Sequence, residues 1–287
     1  MSLPHSFCPE LVGSMSQGAA GNPTVAMVEA AFQHHGLPWR YINMEVAPDD
    51  LGAAIKGAWA MGFRGFNLSM PHKVAVIPLL AGLSKSAALI GAVNCVVRRD
   101  GKFMGENTDG KGFLTSLREV IDPKDKNVVM LGAGGAARAV AVELALAGVR
   151  HITLVNRNES RGRELVYTLR HKASVDAELV VWNGDYRVPT GTHILINGTS
   201  IGLYDPDARL PLDLGTLIPG MVVADVVFNP ACTRLLAEAA ARDCAVVDGL
   251  GMLVNQGVIG VKLWTGLEPD SAVMQRALKQ ALSLPAP

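Results

Sequence analysis

The sequence predicts an α/β protein with largely parallel sheets, organised as two domains. Strand-like apolar runs alternate with helix-like segments along nearly the whole of its 287 residues, the signature of repeated βα units. A glycine-rich turn, Gly132-Ala133-Gly134-Gly135-Ala136-Ala137, lies directly between a buried apolar run and an alanine-rich stretch. A chain of this length that is 49% hydrophobic and 18% charged can also fill two cores of ordinary size.

Glu10 to Gly13 reads as a first strand and Val25 to His35 as a helix. Trp39 to Val46 follows as strand, Asp49 to Met61 as helix, and Gly62 to Leu68 as strand again. Ala92 to Arg98, closed by Arg99-Asp100-Gly101, has the form of a hairpin arm whose partner ends near Met104. The polar stretch Asp122 to Asn127 reads as a domain boundary. The pattern then restarts with the strand Val128 to Leu131, the glycine-rich turn and a helix to about Ala147. Further strands are expected at His151 to Val155, Glu178 to Val181, His193 to Ile196, Met221 to Asp225 and Ala245 to Val247. Gly251 to Trp264 and Ser271 to Leu282 read as two closing helices.

The balance of charge excludes several function classes. Twenty-six basic residues match twenty-six acidic ones, so no nucleic-acid surface or polybasic membrane anchor is indicated. No apolar stretch approaches the roughly 20 residues that span a bilayer. The segment Met1 to Glu10 lacks the charged start and apolar core of a signal peptide. Cys8, Cys95, Cys232 and Cys244 are scattered, which argues against a disulfide framework and fits a cytoplasmic protein. The seven histidines show no ligand spacing, and no metal is expected.

Gly132, Gly134 and Ala137 satisfy the G-x-G-x-x-[GA] pattern in its required setting, after a strand and opening a helix. The first glycine permits the tight turn, the second lets backbone approach a pyrophosphate, and the small third residue allows close helix–strand contact. Free N–H groups at the helix start then face the phosphates. At the end of the second strand, where an NAD enzyme carries an acid for the ribose, stand Asn156, Arg157 and Arg161. Two arginines can clamp a 2′-phosphate, so NADP is the expected cofactor with NAD as the alternative. The alternative is that the same arginines are only solvated residues of a helix start.

Asn67-Leu68-Ser69-Met70-Pro71-His72-Lys73 gathers an amide, a hydroxyl and an amine after an apolar run. Pro71 cannot continue a central strand, so these groups are expected at a strand's carboxyl end, where open α/β sheets bind ligands. A lysine there can move a proton or simply be a solvated turn residue. Gly91 to Asn94 and Gly105 to Gly110 place polar residues between glycines, a composition that suits a cleft. Asn107-Thr108-Asp109 could also be a helix N-cap.

With these motifs assembled, the chain resembles the shikimate/quinate dehydrogenases over nearly its whole length. The matching pieces are NLSMPHK (67–73), GAVN (91–94), GENTDGKGF (105–113), GAGGAAR (132–138), NRNESR (156–161), NGTSIG (197–202), ADVVFNP (224–230) and DGLGMLVNQG (248–257). The resemblance implies an N-terminal substrate domain, residues 1–110, with a mainly parallel sheet, completed by C-terminal helices in 251–287. It implies a Rossmann NAD(P)-binding domain at 111–250. The implied reaction is hydride transfer between NADP(H) and the C3 hydroxyl or carbonyl of shikimate/3-dehydroshikimate, or of a closely related cyclic hydroxy acid. Quinate dehydrogenation with NAD and a non-catalytic cofactor-binding homologue are the alternatives.

Carried onto this chain, the resemblance makes Lys73 and Asp109 the catalytic pair. Asn67, Asn94 and Gln256 match positions that bind ring hydroxyls, and Ser69 stands where a threonine is usual. Ala133, Gly135 and Ala136 belong to the cofactor loop with the glycines named above. Asn197, Thr199 and Gly249 match positions near the nicotinamide half, with Met252 in the same element. A monomer or homodimer is expected.

Two departures bear on the substrate. The family's carboxylate-binding His-Ser-x-Ser-Pro is missing, and Gly21-Asn22-Pro23-Thr24-Val25 stands in its place after a longer loop containing Ser14, Ser16 and Gln17. Asn22 and Thr24 keep polar groups there, or Ser14 and Ser16 fold back to the same end. Phe228 stands where the family has a tyrosine, which removes a hydroxyl donor. Each lost donor weakens carboxylate binding by roughly 1–3 kcal/mol, so weak binding of shikimate is expected.

Overall fold

A computed structural model describes residues 7–283. Met1–Ser6, part of the segment read above for signal-peptide features, and Leu284–Pro287 lie outside the described residues. The chain divides into two compact units. One comprises the chain up to Thr108 together with the chain from Gly257; the other runs from Asp109 to Gln256.

The first unit contains β1 (Glu10–Ser16), α1 (Thr24–His34), β2 (Trp39–Glu45), α2 (Leu51–Ala60), β3 (Gly65–Leu68), α3 (His72–Ala75), β4 (Gly82–Leu83), α4 (Lys85–Ile90), β5 (Cys95–Arg99) and β6 (Lys102–Glu106). Its sheet runs β2-β1-β3-β5-β6-β4. β1 pairs in parallel with β2 and β3, whereas β3–β5 and β5–β6 are antiparallel, so this sheet is mixed. The expected strand from Gly62 begins only at Gly65. Backbone bonds from Met61, Gly62 and Phe63 instead close the end of α2, with Gly62 at φ +80.

Aromatic rings run from the core beneath this sheet out to the surface, where Trp59 is exposed. Phe103 meets Phe66 and Trp59 edge-to-face, each with ring centroids 5.2 Å apart. The C-terminal helix α10 (Ser271–Ala281) returns to pack on α1, burying Met274 and Leu278. Trp264 donates its indole N–H to the Val96 carbonyl at 3.0 Å. Gly65 makes that approach possible, because a Cβ there would lie 2.4 Å from the indole nitrogen.

The second unit contains α5 (Asp109–Arg118), β7 (Asn127–Leu131), α6 (Gly135–Leu146), β8 (His151–Asn156), α7 (Glu159–His171), β9 (Asp176–Val181), β10 (Ile194–Asn197), β11 (Val222–Asp225), α8 (Arg234–Ala240), β12 (Ala245–Val247) and the start of α9 (Gly249–Thr265). The stretch Asp122 to Asn127 links α5 to β7 inside this unit rather than separating two units. All strand pairs are parallel, in the order β12-β11-β10-β7-β8-β9. Counted from β7, this is the doubly wound order 3-2-1-4-5-6, whose direction of winding reverses between β7 and β10. Near-continuous apolar strands such as Val128 to Leu131, all at most 2% exposed, suit a sheet covered on both faces.

Candidate active site

The crevice at the carboxyl ends of β7 and β10 opens into a cavity of about 460 Å³. The turn after β7 forms its floor. Gly132 takes φ +98 and donates its N–H to the Val155 carbonyl at 2.8 Å. Its positive φ and a Thr199 methyl 2.9 Å from any added Cβ leave room only for glycine. Gly134 caps α6 in an extended conformation, and a Cβ on Gly134 or Gly135 would point into open space. That opening, next to the free N–H groups of the α6 start, is a cradle for a pyrophosphate.

Asn156, Arg157 and Arg161 line the same cavity from the end of β8. Asn158 caps α7 by accepting the Arg161 N–H at 3.0 Å, and Asn156 donates to the Asn158 carbonyl at 2.6 Å, which fixes this corner. No carboxylate stands among the lining residues, and two guanidinium groups do. The donor set therefore fits a phosphorylated ribose.

The opposite wall comes from the segments after β10 and β11, including Thr199, Ser200, Ile201 and Phe228. Asn197 is fully buried behind this wall and accepts from the Thr199 N–H at 3.0 Å and hydroxyl at 2.7 Å. Burial pushes the Asp225 carboxyl up to about 6, against hydrogen bonds from Val227, Asn197 and Thr233 that hold it down.

Within the first unit, the polar residues expected to meet substrate form a chain of hydrogen bonds. Tyr41 donates to Asn67 Oδ1 at 2.9 Å, and Asn67 Nδ2 donates to the Asn94 carbonyl at 3.1 Å. Asn94 Nδ2 donates to Thr108 Oγ1 at 2.9 Å while its Oδ1 accepts the Thr108 N–H at 2.7 Å. Burial pushes the Tyr41 phenol far up, so it remains a donor. Lys73 is half-buried in α3, and its carbonyl accepts the Val93 N–H at 2.8 Å, tying that turn to the Gly91–Asn94 segment. Ser69 is exposed at the end of β3.

At the carboxyl end of β1, Ser14 is fully buried. It donates to Asn43 Oδ1 at 2.9 Å and accepts from Asn22 Nδ2 at 3.0 Å. Asn22 Oδ1 accepts the Thr24 N–H at 3.0 Å, and Asn43 Nδ2 donates to the Asn22 carbonyl at 3.0 Å. The longer loop after β1 folds on Glu45, whose carboxylate accepts the Gly18 and Ala19 N–H groups at 2.7 Å each.

The structure thus gathers Gly132 to Ala136, Asn156, Arg157, Arg161, Thr199 and Phe228 around one cavity. Phe228, expected beside substrate, is in this cofactor wall, its ring 6.3 Å from that of Tyr204. Gly249 and Met252 belong to the first turn of α9 and are not among the cavity's lining residues; Gly249 packs on the Val227 carbonyl. Asp109 is the first residue of α5, half-buried. Gln256 is buried in α9, in the second unit, and donates to the Leu253 carbonyl at 3.0 Å. Sequence reasoning missed Tyr41, Asn43 and Trp182. Trp182 lines the cavity with its indole N–H donated to the Pro211 carbonyl at 2.9 Å, and no local motif marks it.

Comparison with known proteins agrees with this geometry. Residues 22–96 match the family model of the shikimate dehydrogenase substrate binding domain, 116–180 that of shikimate/quinate 5-dehydrogenase, and 249–279 that of the shikimate 5′-dehydrogenase C-terminal domain. The chain is similar to shikimate dehydrogenase (NADP(+)) of Moorella thermoacetica, with 44% identity over 89% of this chain and 88% of that one. Among solved structures it is similar to 5-ketofructose reductase of Gluconobacter sp. strain CHM43, with 55% identity, a TM-score of 0.94 and coverage of 96% and 99%. It is also similar to shikimate 5-dehydrogenase from Thermus thermophilus in complex with NADP(H) and shikimate, with 34% identity, a TM-score of 0.82 and coverage of 95% and 99%. Identity at this level across nearly the full length, on a doubly wound cofactor unit with its glycine turn in place, establishes that the chain belongs to the shikimate/quinate dehydrogenase family.

Proposed function

We propose that this protein is an NADP(H)-dependent dehydrogenase that exchanges a hydride between the cofactor and a secondary hydroxyl or its ketone, as at C3 of shikimate and 3-dehydroshikimate. We further propose that it prefers a closely related polyhydroxylated ketone without a carboxylate, namely 5-ketofructose, over 3-dehydroshikimate. The activity is carried by the cavity at the β7/β10 switch point, with its glycine cradle and paired arginines. NADP(H), when bound there, supplies or accepts the hydride. Lys73 Nζ gives a proton to the carbonyl oxygen as it is reduced, or removes one from the hydroxyl in the reverse direction. Asp109 orients the lysine and a substrate hydroxyl, and Asn67, Ser69, Asn94 and Gln256 hold the remaining hydroxyls.

The substrate preference rests on the network at the end of β1. Donors that could meet a carboxylate there are partly committed inside the protein: the Ser14 hydroxyl to Asn43, and one of the two Asn22 amide N–H groups to Ser14. A site poor in free donors loses more with a carboxylate than with a neutral polyol, whose hydroxyls donate as well as accept. The 55% identity to a 5-ketofructose reductase, against 34–44% to the two shikimate enzymes, points the same way. Its setting is the cytoplasm, as a monomer or homodimer.

Initial rates decide the matter. NADPH oxidation with 5-ketofructose and with 3-dehydroshikimate, and NADP reduction with shikimate and quinate, should show kcat/KM for 5-ketofructose higher than for any of the acids by about tenfold or more. A preference for 3-dehydroshikimate would overturn the substrate assignment and leave the chemistry standing. No turnover with any of them would overturn both.

A further inference from the structure

Asp225 is a fully buried carboxylate at the end of β11 to which the reaction as described gives no role. It gathers three separate pieces of chain. Oδ1 accepts Asn197 Nδ2 at 2.9 Å, from the end of β10, and the Val227 N–H at 3.0 Å, from its own following turn. Oδ2 accepts the Thr233 hydroxyl at 2.8 Å, and Thr233 caps α8 by accepting the Leu236 N–H. Asn197 relays the anchorage: its Nδ2 also donates to the Ile201 carbonyl at 3.2 Å and its Oδ1 holds Thr199. Thr199 Oγ1 in turn accepts the Ile201 N–H at 3.1 Å.

A buried aspartate can serve as a plain turn device, and the Val227 bond alone would satisfy that role. The segments it unites argue for more. Thr199, Ile201, Val226 and Val227 all line the cofactor cavity, on the wall facing the Gly132 turn. The Val226 N–H donates to the Asn197 carbonyl at 3.0 Å and the Tyr204 N–H to the Asn229 carbonyl at 2.8 Å, so backbone bonds join the two segments beside the carboxylate. Asn156, Arg157 and Arg161 stand on a different strand end and share no hydrogen bond with this network among the described residues.

We propose that Asp225 is a positioning residue for the cofactor: it fixes the loops after β10 and β11 as one wall and thereby sets the affinity for the part of NADP(H) beyond the 2′-phosphate, while the arginine corner works independently of it. This rests on the reading of the cavity as the NADP(H) site. An acceptor in the right place is what the wall requires, rather than a charge. An asparagine keeps Oδ1 for Asn197 and Val227, and its amide can donate to a Thr233 hydroxyl that has turned around.

The test compares NADPH with 2′,5′-ADP, which carries only the phosphorylated adenosine half, in the full-length protein and in D225A, D225N and T233V. Dissociation constants are read by NADPH fluorescence and by calorimetry. D225A should weaken NADPH about tenfold or more and T233V about threefold, because a loosened wall adds ordering cost to binding. D225N should stay within about twofold, and 2′,5′-ADP should bind all variants within about twofold of the parent. Unchanged NADPH affinity in D225A and T233V overturns the proposal, as does an equal loss for both ligands. Should D225A fail to fold, T233V decides by the same criteria. A parent protein that binds neither ligand overturns the cavity reading, and the proposal with it.

Discussion

Asn94 and Thr108 close a small ring of two hydrogen bonds, the amide donating to the threonine hydroxyl at 2.9 Å and accepting its backbone N–H at 2.7 Å. Both residues are at most 3% exposed, so neither bond can be replaced by water. Thr108 directly precedes Asp109. The ring therefore fixes the residue that directly precedes the proposed catalytic carboxylate in the chain.

Asn94→Ala should leave the Thr108 N–H buried and unsatisfied, costing about 1–3 kcal/mol. Thermal unfolding should register that loss as a lower Tm. If the ring also places Asp109, kcat should drop by about tenfold or more at temperatures where the variant is fully folded. Parent-like turnover in a destabilised variant would make the ring a purely structural element.

Lys73→Ala tests the proton-transfer role. A general acid–base group contributes about 10²- to 10⁴-fold, so kcat should fall by that order while KM for the carbonyl substrate moves only a few-fold. Comparable changes in both constants would make Lys73 a binding residue.

Arg161→Ala should separate the two nicotinamide cofactors. Losing one charge-assisted hydrogen bond to a phosphate costs about 1.5–3 kcal/mol, which raises KM for NADPH by roughly ten- to a hundredfold. NADH has no 2′-phosphate, and its KM should stay within about twofold. A parallel rise for NADH would place the guanidinium elsewhere on the cofactor.

Gly132→Ala should cost stability and cofactor binding together. Its φ of +98 is strained for alanine, and the new methyl would press on Thr199 at 2.9 Å. Expected losses are about 1–3 kcal/mol in stability and weakened NADPH binding by titration. Unchanged binding would show that the turn does not frame the site.

Asp225 gives stability an unusual pH dependence. Its carboxyl is raised from 3.8 unfolded to about 6 folded, because burial disfavours the charge. Between those values the folded state holds a proton that the unfolded state has released, so this group's contribution declines as pH rises from about 4 to 6 and stays lost above. The full effect is bounded at roughly 3 kcal/mol. D225N removes the ionisation. Relative to the parent, it should gain in Tm as pH rises from 4.5 to 7.5, a difference read by calorimetry at both pH values. A constant Tm difference would show that the carboxyl does not titrate in this window.

How much of this was legible in the sequence depended on how local each feature is. The second unit was read nearly strand for strand, because a covered parallel strand is a continuous apolar run such as Val128 to Leu131 and its turns carry glycines. The cofactor loop was legible for the same reason: the positive φ at Gly132 writes itself as a residue type. Residues whose task is set by distant neighbours were not. Tyr41 meets Asn67 from another strand, and Trp182 reaches the cavity because its indole is fixed by Pro211. The short helix carrying Lys73 was hidden behind Pro71, which signals the end of a strand and gives no sign of a helix after it. Asn22 stands where the resemblance expects a carboxylate-binding residue, but its commitment to Ser14 depends on two strands and the loop between them meeting in space.

The first unit is discontinuous, and its last pieces come late. Trp264 fills the space left at Gly65 and α10 covers α1, yet the second unit's entire sequence lies between them and the strands they complete. A ribosome delivers residues from the amino end, so the first unit must wait with one flank bare until the closing helices emerge. The cofactor unit, contiguous from Asp109 to Gln256, has all its strands in hand sooner. Domains ordinarily fold in the order of synthesis. Here the unit made first finishes last, and the nascent chain can hold a formed dinucleotide site before it has completed the other unit.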